Sequence, residues 1–172
     1  MDTLLIKNIG LLATPAGRTA RRGADQGDVG FLRDAWVRME DGVIAAVGTG
    51  TPERPAGAEE LDAEGRLVTP GLVDAHTHLI FGGWRQNELA MKLRGVPYLD
   101  ILAQGGGILS TVRATRSAGQ GELEDKARLA LDEMLSFGTT TCEAKSGYGL
   151  DLDTELKQLR AIRALNESHP VD

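Results

Sequence analysis

Residues 67–78 read LVTPGLVDAHTH and form the most informative segment of the chain. Their apolar and β-branched side chains predict a buried strand that runs to His76, with Pro70 near its entry. Alternate side chains of a strand share a face, so Asp74, His76 and His78 point the same way. Both histidines then lie at the carboxyl end of the strand, where active sites of parallel α/β structures are found.

The histidine pair of this strand suggests a metal site. Two imidazoles at positions i and i+2 can bind one divalent ion, because neutral ring nitrogens are good ligands near pH 7. His76 and His78 are therefore candidates for metal ligands. A bare His-x-His pair also fits two partly exposed histidines at a strand end, since short motifs give false matches. The pair alone leaves both interpretations open.

The first 66 residues predict a small all-β domain. Residues 4–9 read as a strand, and strand-like runs flank Asp41-Gly42. An Asp-Gly pair is typical of a tight hairpin turn, because glycine readily adopts a positive φ. Between these runs, residues 13–34 are polar, rich in Gly and Arg, and without apolar periodicity, so they predict a long loop.

Beyond residue 67 the pattern changes to alternating strands and helices. The predicted elements are helices near residues 98–104, 110–116 and 122–137, a strand at residues 139–144, and a helix from about residue 153 that stops before Pro170. In the last helix, Leu156, Leu159, Ile162 and Leu165 are expected on the buried face. Strands that alternate with helices are typical of βα units and a parallel sheet.

The composition argues against several classes of protein. A formal net charge of −6 over 172 residues disfavours a nucleic-acid binder, which needs a basic surface. No apolar run approaches the roughly 20 residues that span a bilayer, and the first residues do not resemble a signal peptide. The single cysteine, Cys142, permits no intrachain disulfide. We expect a cytoplasmic protein without nucleic-acid or membrane partners.

Residues 67–78, together with residues 41–48 (DGVIAAVG), resemble the amidohydrolase superfamily. Within it, the match narrows to the imidazolonepropionase family and covers nearly the whole chain. The further matching segments are residues 81–85 (FGGWR), 98–102 (YLDIL), 105–112 (GGGILSTV) and 143–150 (EAKSGYGL). The resemblance implies an α/β fold with an N-terminal β-sandwich-type domain over residues 1–66. Residues 67–172 would then form the first βα units of an incomplete TIM (β/α)8 barrel.

The resemblance also implies an activity. It implies hydrolysis of the cyclic amide of 4-imidazolone-5-propanoate to N-formimidoyl-L-glutamate, a step of histidine degradation. It further implies one divalent metal ion, zinc or iron, with His76 and His78 as two of the ligands. Such an ion lowers the pKa of bound water to about 7 and polarises a carbonyl group. Arg85 and Tyr148 match substrate-binding positions, so the expected partner is the small-molecule substrate, and a homodimer stays open.

Arg85 and Tyr148 are chemically suited to this substrate. A guanidinium can hold the propanoate through two hydrogen bonds, and a tyrosine hydroxyl in a Gly-rich loop can face a polar ligand group. Without the family match, Arg85 reads as a solvated loop arginine and Tyr148 as a packing tyrosine. For Tyr98, Glu143 and Lys145 the sequence fixes no role, because each could line the site or serve only packing, pairing or solvation.

Two further features have mainly structural interpretations. Residues 105–107 are three glycines whose N–H groups could bind an anion, but the Lys-Ser/Thr ending of a P-loop is absent. Cys142 lies inside a predicted strand and is interpreted as a buried small hydrophobe rather than a nucleophile.

The length of the chain limits what it is expected to do alone. A complete barrel needs eight βα units and about 250 residues, whereas residues 67–172 have room for two or three units. The family's further metal ligands, its catalytic Glu and a further substrate-contacting His have no counterparts here. We therefore expect the general base beyond Asp172 and no activity from this fragment alone. The alternatives are an inactive fragment or binding module, or another cyclic amidohydrolase or deaminase of the superfamily.

Overall fold

The computed structural model describes residues 2–15 and 19–172. The chain divides into two compact units, Met1–Pro70 and Gly71–Asp172, each of which has its own sheet. Helices and strands both contribute, so the fold is mixed α/β. Among the described residues, no helix is long and apolar enough to cross a bilayer.

The first unit is built on a five-stranded sheet. Its strands are β1 (Thr3–Thr14), β2 (Gly30–Glu40), β3 (Val43–Thr49), β4 (Glu59–Asp62) and β5 (Leu67–Val68), with a 3₁₀ turn at Gly23–Gly27. The order is β3-β2-β1-β4, and β5 also pairs with β1. Leu5, Ile9, Leu12, Ala35 and Val37 are buried on this sheet and form the core of the unit.

The hairpin predicted at Asp41-Gly42 is confirmed. Glu40 pairs with Val43 across the turn, and Asp41 and Gly42 have φ values of 49° and 80°. Positive φ at both central residues gives the turn the twist of its flanking strands. The hairpin therefore follows from local chemistry.

The loop predicted at residues 13–34 is wrong at both ends. Strand β1 continues to Thr14, which pairs with Gly30 at the start of β2. Residues 16–18, in the middle of the predicted loop, lie outside the described residues. The reason for the error is that a ladder of backbone hydrogen bonds forms here without apolar alternation in the sequence.

The second unit contains two parallel strands and five helices. Its elements are β6 (Leu72–Thr77), α1 (Asn87–Leu93), α2 (Tyr98–Ala103), α3 (Gly107–Ser117), α4 (Gln120–Ser136), β7 (Thr139–Ala144) and α5 (Leu152–Asn166). Strands β6 and β7 pair in parallel, so the predicted alternation of strands and helices is confirmed. Helix α1 is an element that the sequence pattern did not indicate.

The strand predicted over residues 67–76 is two strands. Leu67 and Val68 form β5 in the first unit, where they pair with Leu11 and Leu12. Pro70 lies between β5 and β6, and a proline cannot donate a hydrogen bond to a strand ladder. A continuous apolar pattern therefore crosses from one compact unit to the next.

The core of the second unit lies between α4, α5 and the residues that follow β6. Helix α4 buries Leu123, Ala127 and Leu131, and α5 buries Ala161 and Leu165. Leu79 and Ile80 belong to the same core. Each such leucine or isoleucine contributes roughly 1.5–3 kcal/mol when fully buried.

The face predicted to be buried on α5 is partly wrong. Leu159 is 46% exposed, whereas Gln158 is fully buried. The Gln158 amide donates a hydrogen bond of 2.6 Å to the carbonyl of Ile80. A backbone carbonyl that needs a donor thus selects a polar residue at a core position.

Candidate functional site

His76 and His78 lie at the carboxyl end of β6, as the strand pattern indicates. Their ring centroids are 5.7 Å apart, in an edge-to-face arrangement. The pairing between β6 and β7 is irregular between Asp74 and Thr77, and the His76 N–H donates to the Asp74 carboxylate at 3.1 Å. The ladder resumes at Thr77, whose carbonyl accepts the Lys145 N–H. The His76 side chain is exposed, as are all residues of β6 before Thr77, so the prediction of a buried strand is wrong here.

His78 is packed more closely than His76. Its ring lies 5.1 Å from the Tyr148 ring, and a Cβ on Gly147 would come within 2.8 Å of its Cε1 atom. Among the described residues, the buried Nδ1 atom of His78 has no hydrogen-bond partner. Buried polar atoms normally find a partner, so this nitrogen indicates a missing polar contact at the site.

The histidine pair fits part of a metal site. The described residues contain no group of three or more His, Cys, Asp or Glu side chains placed to hold one ion. A catalytic zinc is usually held by three protein ligands. His76 and His78 can therefore supply two of the ligands.

A pocket of about 140 Å³ opens beside His78. It is lined by His78, Phe81, Trp84, Arg85, Thr111 and Tyr148. Three of the four predicted site residues thus line one pocket, and His76 reaches it only through its ring contact with His78. A larger cleft of about 370 Å³ in the first unit has only apolar residues, Thr14 and Thr69 in its lining, so it offers no titratable group for chemistry.

The walls of the pocket are mainly aromatic. The Phe81 ring lies 5.7 Å from the Trp84 ring and 6.1 Å from the Tyr148 ring, both in edge-to-face geometry. Such walls accept a flat ring, because π-faces and ring edges both make favourable contacts with planar groups. Phe81, Trp84 and Thr111 were not predicted as site residues, although all three lie in segments that match the family.

Arg85 is the cationic group of the pocket. Its Nη1 atom lies 3.9 Å from the Glu88 carboxylate, which is too long for a hydrogen bond. The Arg85 side chain is 38% exposed. Its N–H groups are therefore available to an anionic ligand, while Glu88 keeps the guanidinium near the pocket.

Glu88 is a buried carboxylate that the sequence did not single out. It is 2% exposed, and its Oε1 atom accepts the N–H of Gly107 at 2.7 Å. Lys92 lies 3.6 Å from its other oxygen. The run of glycines at residues 105–107 thus does bind an anion through backbone N–H, but the anion is Glu88 of the same chain.

Lys126 contacts the segment at residues 81–85, which ends at Arg85. Its ammonium lies 3.3 Å from the centre of the Phe81 ring and 3.9 Å from that of Trp84. It also donates to the carbonyls of Phe81 and Gly83, at 3.0 and 2.5 Å. Burial lowers the pKa of Lys126 to about 8, so the amine is still mostly protonated near pH 7. No sequence pattern marked this lysine.

The remaining sequence candidates lie outside the pocket lining. The Tyr98 hydroxyl accepts the Ile108 N–H at 3.4 Å, so this tyrosine packs at the start of α3. Glu143 and Lys145 contact Thr77 through backbone atoms. Burial, followed by the charge of Asp74, raises the pKa of the Cys142 thiol, which disfavours the reactive thiolate.

Several known proteins are similar to the chain in sequence. The model of the "Amidohydrolase family" matches residues 59–98. The imidazolonepropionases of Alkaliphilus metalliredigens and of Bacillus cereus are each 54% identical to the chain, over 100% of its length. The chain spans 42% and 41% of the length of these two relatives.

Solved structures show the same fold at low sequence identity. Guanine deaminase from E. coli matches 96% of the chain and 34% of its own length, with a TM-score of 0.61 and 16% identity. An atrazine chlorohydrolase from Arthrobacter aurescens, solved with zinc and atraton, matches 94% of the chain and 33% of its own length, with a TM-score of 0.55 and 22% identity. Over the whole of its length, the chain is therefore similar to one part of the imidazolonepropionases.

Proposed function

We propose that this chain supplies part of the active site of a metal-dependent amidohydrolase that opens the ring of 4-imidazolone-5-propanoate to give N-formimidoyl-L-glutamate. The observation that carries the proposal is the single pocket lined by His78, Arg85 and Tyr148. The pocket lining thus combines a candidate metal ligand (His78), a cation (Arg85) and a phenol (Tyr148). The names of the relatives support the reaction.

The fold we propose is the one expected from the resemblance. The first unit is part of a β-sandwich, and the parallel strands β6 and β7 with their helices are the first βα units of a TIM barrel. Support comes from the parallel pairing and from the position of the histidines at a strand's carboxyl end, where barrel active sites lie. The domain division at residues 66 and 67, the cytoplasmic location and the homodimer remain predictions.

The metal ion we propose is one zinc or iron, held in part by His76 and His78. When bound, such an ion supplies a water of lowered pKa and polarises the carbonyl of the substrate. The pocket lining contains no carboxylate, and in this proposal its histidine, His78, binds the metal and does not act as the general base. We place that base and the remaining ligands in the part of the relatives' length that this chain does not match.

Arg85 and Tyr148 hold the substrate in this proposal. Arg85 binds the propanoate through two charge-assisted hydrogen bonds, for which its N–H groups are available. The rings of Phe81 and Trp84 pack against the flat imidazolone. Tyr148, beside His78, presents its hydroxyl to a polar atom of the ring and so orients the amide toward the metal side of the pocket.

The test separates metal binding from substrate binding. The chain is titrated in a calorimeter with zinc and, separately, with imidazole-4-propanoate, a substrate-like ligand without a cyclic amide. Arg85→Ala should weaken binding of imidazole-4-propanoate at least tenfold, because a hydrogen bond to a charged group contributes about 1.5–3 kcal/mol. The same variant should leave zinc binding unchanged, whereas His78→Ala should abolish zinc binding.

Lys92→Ala is the matched control, because Lys92 also pairs with Glu88 but does not line the pocket. It should leave both titrations unchanged. Equal loss of zinc and ligand binding in Arg85→Ala would show a general defect instead of a carboxylate contact. Zinc binding that is equally tight in the unmodified chain and in His78→Ala would refute the metal assignment.

A further inference from the structure

The loop at residues 146–150, which carries Tyr148, is organised by one carboxylate. Glu155 lies in the first turn of α5, and its Oε1 atom accepts the N–H groups of Gly149 and Leu150 at 2.7 and 2.9 Å. Burial alone would raise the pKa of Glu155. Hydrogen bonds from the Ser146 side chain and from the backbone of Leu150, Gly149 and Gly147 outweigh it and lower that pKa. The two amides that donate to its Oε1 atom closely follow Tyr148 in the chain.

This loop has little room to relax. A Cβ on Gly149 would lie 2.8 Å from the Glu155 nitrogen and from the Thr154 Cβ. Leu150 has a φ of 55°, in the left-handed region that a leucine rarely adopts. Such a backbone persists only where surrounding contacts determine it. The hydrogen bonds to Glu155 are contacts of that kind.

A second group holds the loop from the opposite side. The Arg116 Nε–H donates to the Gly149 carbonyl at 2.7 Å and lies 2.9 Å from an Asp151 carboxylate oxygen. Asp151 in turn caps α5 by accepting the Thr154 N–H at 2.8 Å. Arg116 binds a carbonyl of the loop, whereas Glu155 binds its amides, so the two side chains hold different backbone groups.

We propose that Glu155 is a positioning residue that fixes the Tyr148 loop and thereby sets the Tyr148 ring against His78. The role of Tyr148 toward the substrate rests on the proposed function, but its placement against His78 does not. The ring separation of 5.1 Å gives that placement a direct measure. A carboxylate suits the task because it only accepts hydrogen bonds, and the N–H groups of Gly149 and Leu150 both donate to its Oε1 atom.

The competing explanation is that Glu155 only stabilises the start of α5. Acidic residues in the first turn of a helix interact favourably with its dipole. Asp153 lies in the same first turn and is exposed, so it provides a matched control. A positioning role predicts that Glu155 and Asp153 variants differ in the loop, whereas a dipole role predicts that they behave alike.

The experiment measures amide hydrogen exchange and His78 ring resonances by NMR in the 172-residue chain. Glu155→Ala should speed exchange of the Gly149 and Leu150 amides at least tenfold, since hydrogen bonds to charged groups contribute about 1.5–3 kcal/mol. The His78 ring protons should lose the shift caused by the Tyr148 ring. Exchange of the Leu165 amide, in the core of α5, should be unchanged.

Two conservative variants guard against a general folding defect. Glu155→Gln keeps the length and one acceptor oxygen and should rescue part of the loop protection. Glu155→Asp keeps the charge but is one methylene shorter, so it should behave like Glu155→Ala. Asp153→Asn should leave the loop amides and the His78 resonances as they are.

The outcomes separate this inference from the proposed function. The positioning role is overturned if Glu155→Ala changes neither the amide exchange of the loop nor the His78 resonances. It is also overturned if Asp153→Asn has the same effects as Glu155→Ala. Both conclusions hold whether or not the chain binds imidazole-4-propanoate. Loop loosening and a His78 shift change in a chain that never binds imidazole-4-propanoate would support positioning while refuting the proposed ligand. Loosening together with weaker ligand binding supports both.

Discussion

The loop at residues 81–85 and the loop at residues 146–150 both contribute to the lining of one pocket, and side chains of opposite charge hold them. Lys126 donates to the carbonyls of Phe81 and Gly83 and lies on two aromatic rings. Glu155 accepts the N–H groups of Gly149 and Leu150. The loop at residues 81–85 directs backbone carbonyls toward α4, which carries Lys126. The loop at residues 146–150 directs backbone amides toward α5, which carries Glu155.

The comparison shows how an irregular loop gains a fixed shape. Backbone groups in a loop have no ladder to satisfy them, and unpaired groups are costly when they are buried. A lysine has only donors and a carboxylate only acceptors, so each can satisfy one kind of backbone group several times. The charge that suits a loop is therefore set by which backbone atoms face the supporting helix.

The largest expected effects come from the glycines of the two loops. A Cβ on Gly82 would lie 2.5 Å from the Ala114 carbonyl group in α3, and one on Gly149 would lie 2.8 Å from the Glu155 nitrogen. Overpacking costs about 1–3 kcal/mol and sometimes more. We expect Gly82→Ala to lower the free energy of unfolding by about 3 kcal/mol and Gly149→Ala by about 2 kcal/mol.

Urea unfolding of the chain measures both losses. Gly121→Ala is the control, because a Cβ at this position in α4 meets nothing within 4 Å. This substitution should be neutral or should stabilise by up to about 1 kcal/mol, as is usual in a helix interior. A Gly82→Ala chain as stable as the control would show that the loop can shift away from α3.

A smaller effect is expected from removing the cation of the first loop. Lys126→Met keeps most of the apolar stem but loses the cation–π contacts and the two carbonyl bonds. Cation–π contacts contribute about 0.5–2 kcal/mol, so we expect a loss of about 1 kcal/mol for this half-buried site. Trp84 should become more mobile, because the Lys126 ammonium no longer contacts its ring.

Fluorescence anisotropy of Trp84 provides the local readout. The chain has two tryptophans, so Trp36→Phe isolates the signal of Trp84. Anisotropy should fall in Lys126→Met and stay constant in Lys92→Met, which changes a lysine away from both rings. An unchanged anisotropy in Lys126→Met would mean that the ammonium does not hold the loop.

The sequence predicted the framework of this site better than its supports. The Asp41-Gly42 hairpin, the parallel pairing of β6 and β7, and the position of His76 and His78 at a strand end all follow from local patterns. These features depend on periodicity and turn chemistry, which neighbouring residues determine. Arg85 and Tyr148 were found from a family resemblance, and their placement in one pocket required the structure.

Two of the supports, Lys126 and Glu88, could not be predicted because their partners are backbone atoms far along the chain. Lys126 binds carbonyls 43 and 45 positions away, and Glu88 binds an N–H 19 positions away. A sequence shows side chains, but it does not show which backbone groups of a loop lack partners. The same limit explains α5, where the polar Gln158 is buried and Leu159 is exposed.

Changes of stability with pH are expected for both loops, and both loops gain stability as the pH rises, but in different pH ranges. Hydrogen bonds hold the pKa of Glu155 below its ordinary value of 4.5 in the folded chain. Its contribution is therefore complete above about pH 4.5 and is lost as the pH falls through the folded pKa. Burial lowers the pKa of Lys126 from 10.5 to about 8. The unfolded chain then binds the proton more tightly, so this contribution to stability grows as the pH rises from about 8 toward 10.5.

Urea unfolding at a series of pH values tests both signs. The stability difference between the unmodified chain and Glu155→Gln should shrink below about pH 4.5 and be constant from pH 5 to 7. The difference between the unmodified chain and Lys126→Met should be constant from pH 6 to 7 and grow above about pH 8. A difference that is flat in acid would mean that Glu155 is not charged against the loop amides. A difference that falls above pH 8 would mean that the ring and carbonyl contacts of the Lys126 ammonium outweigh its burial, since loss of the proton would then weaken the hold on the first loop.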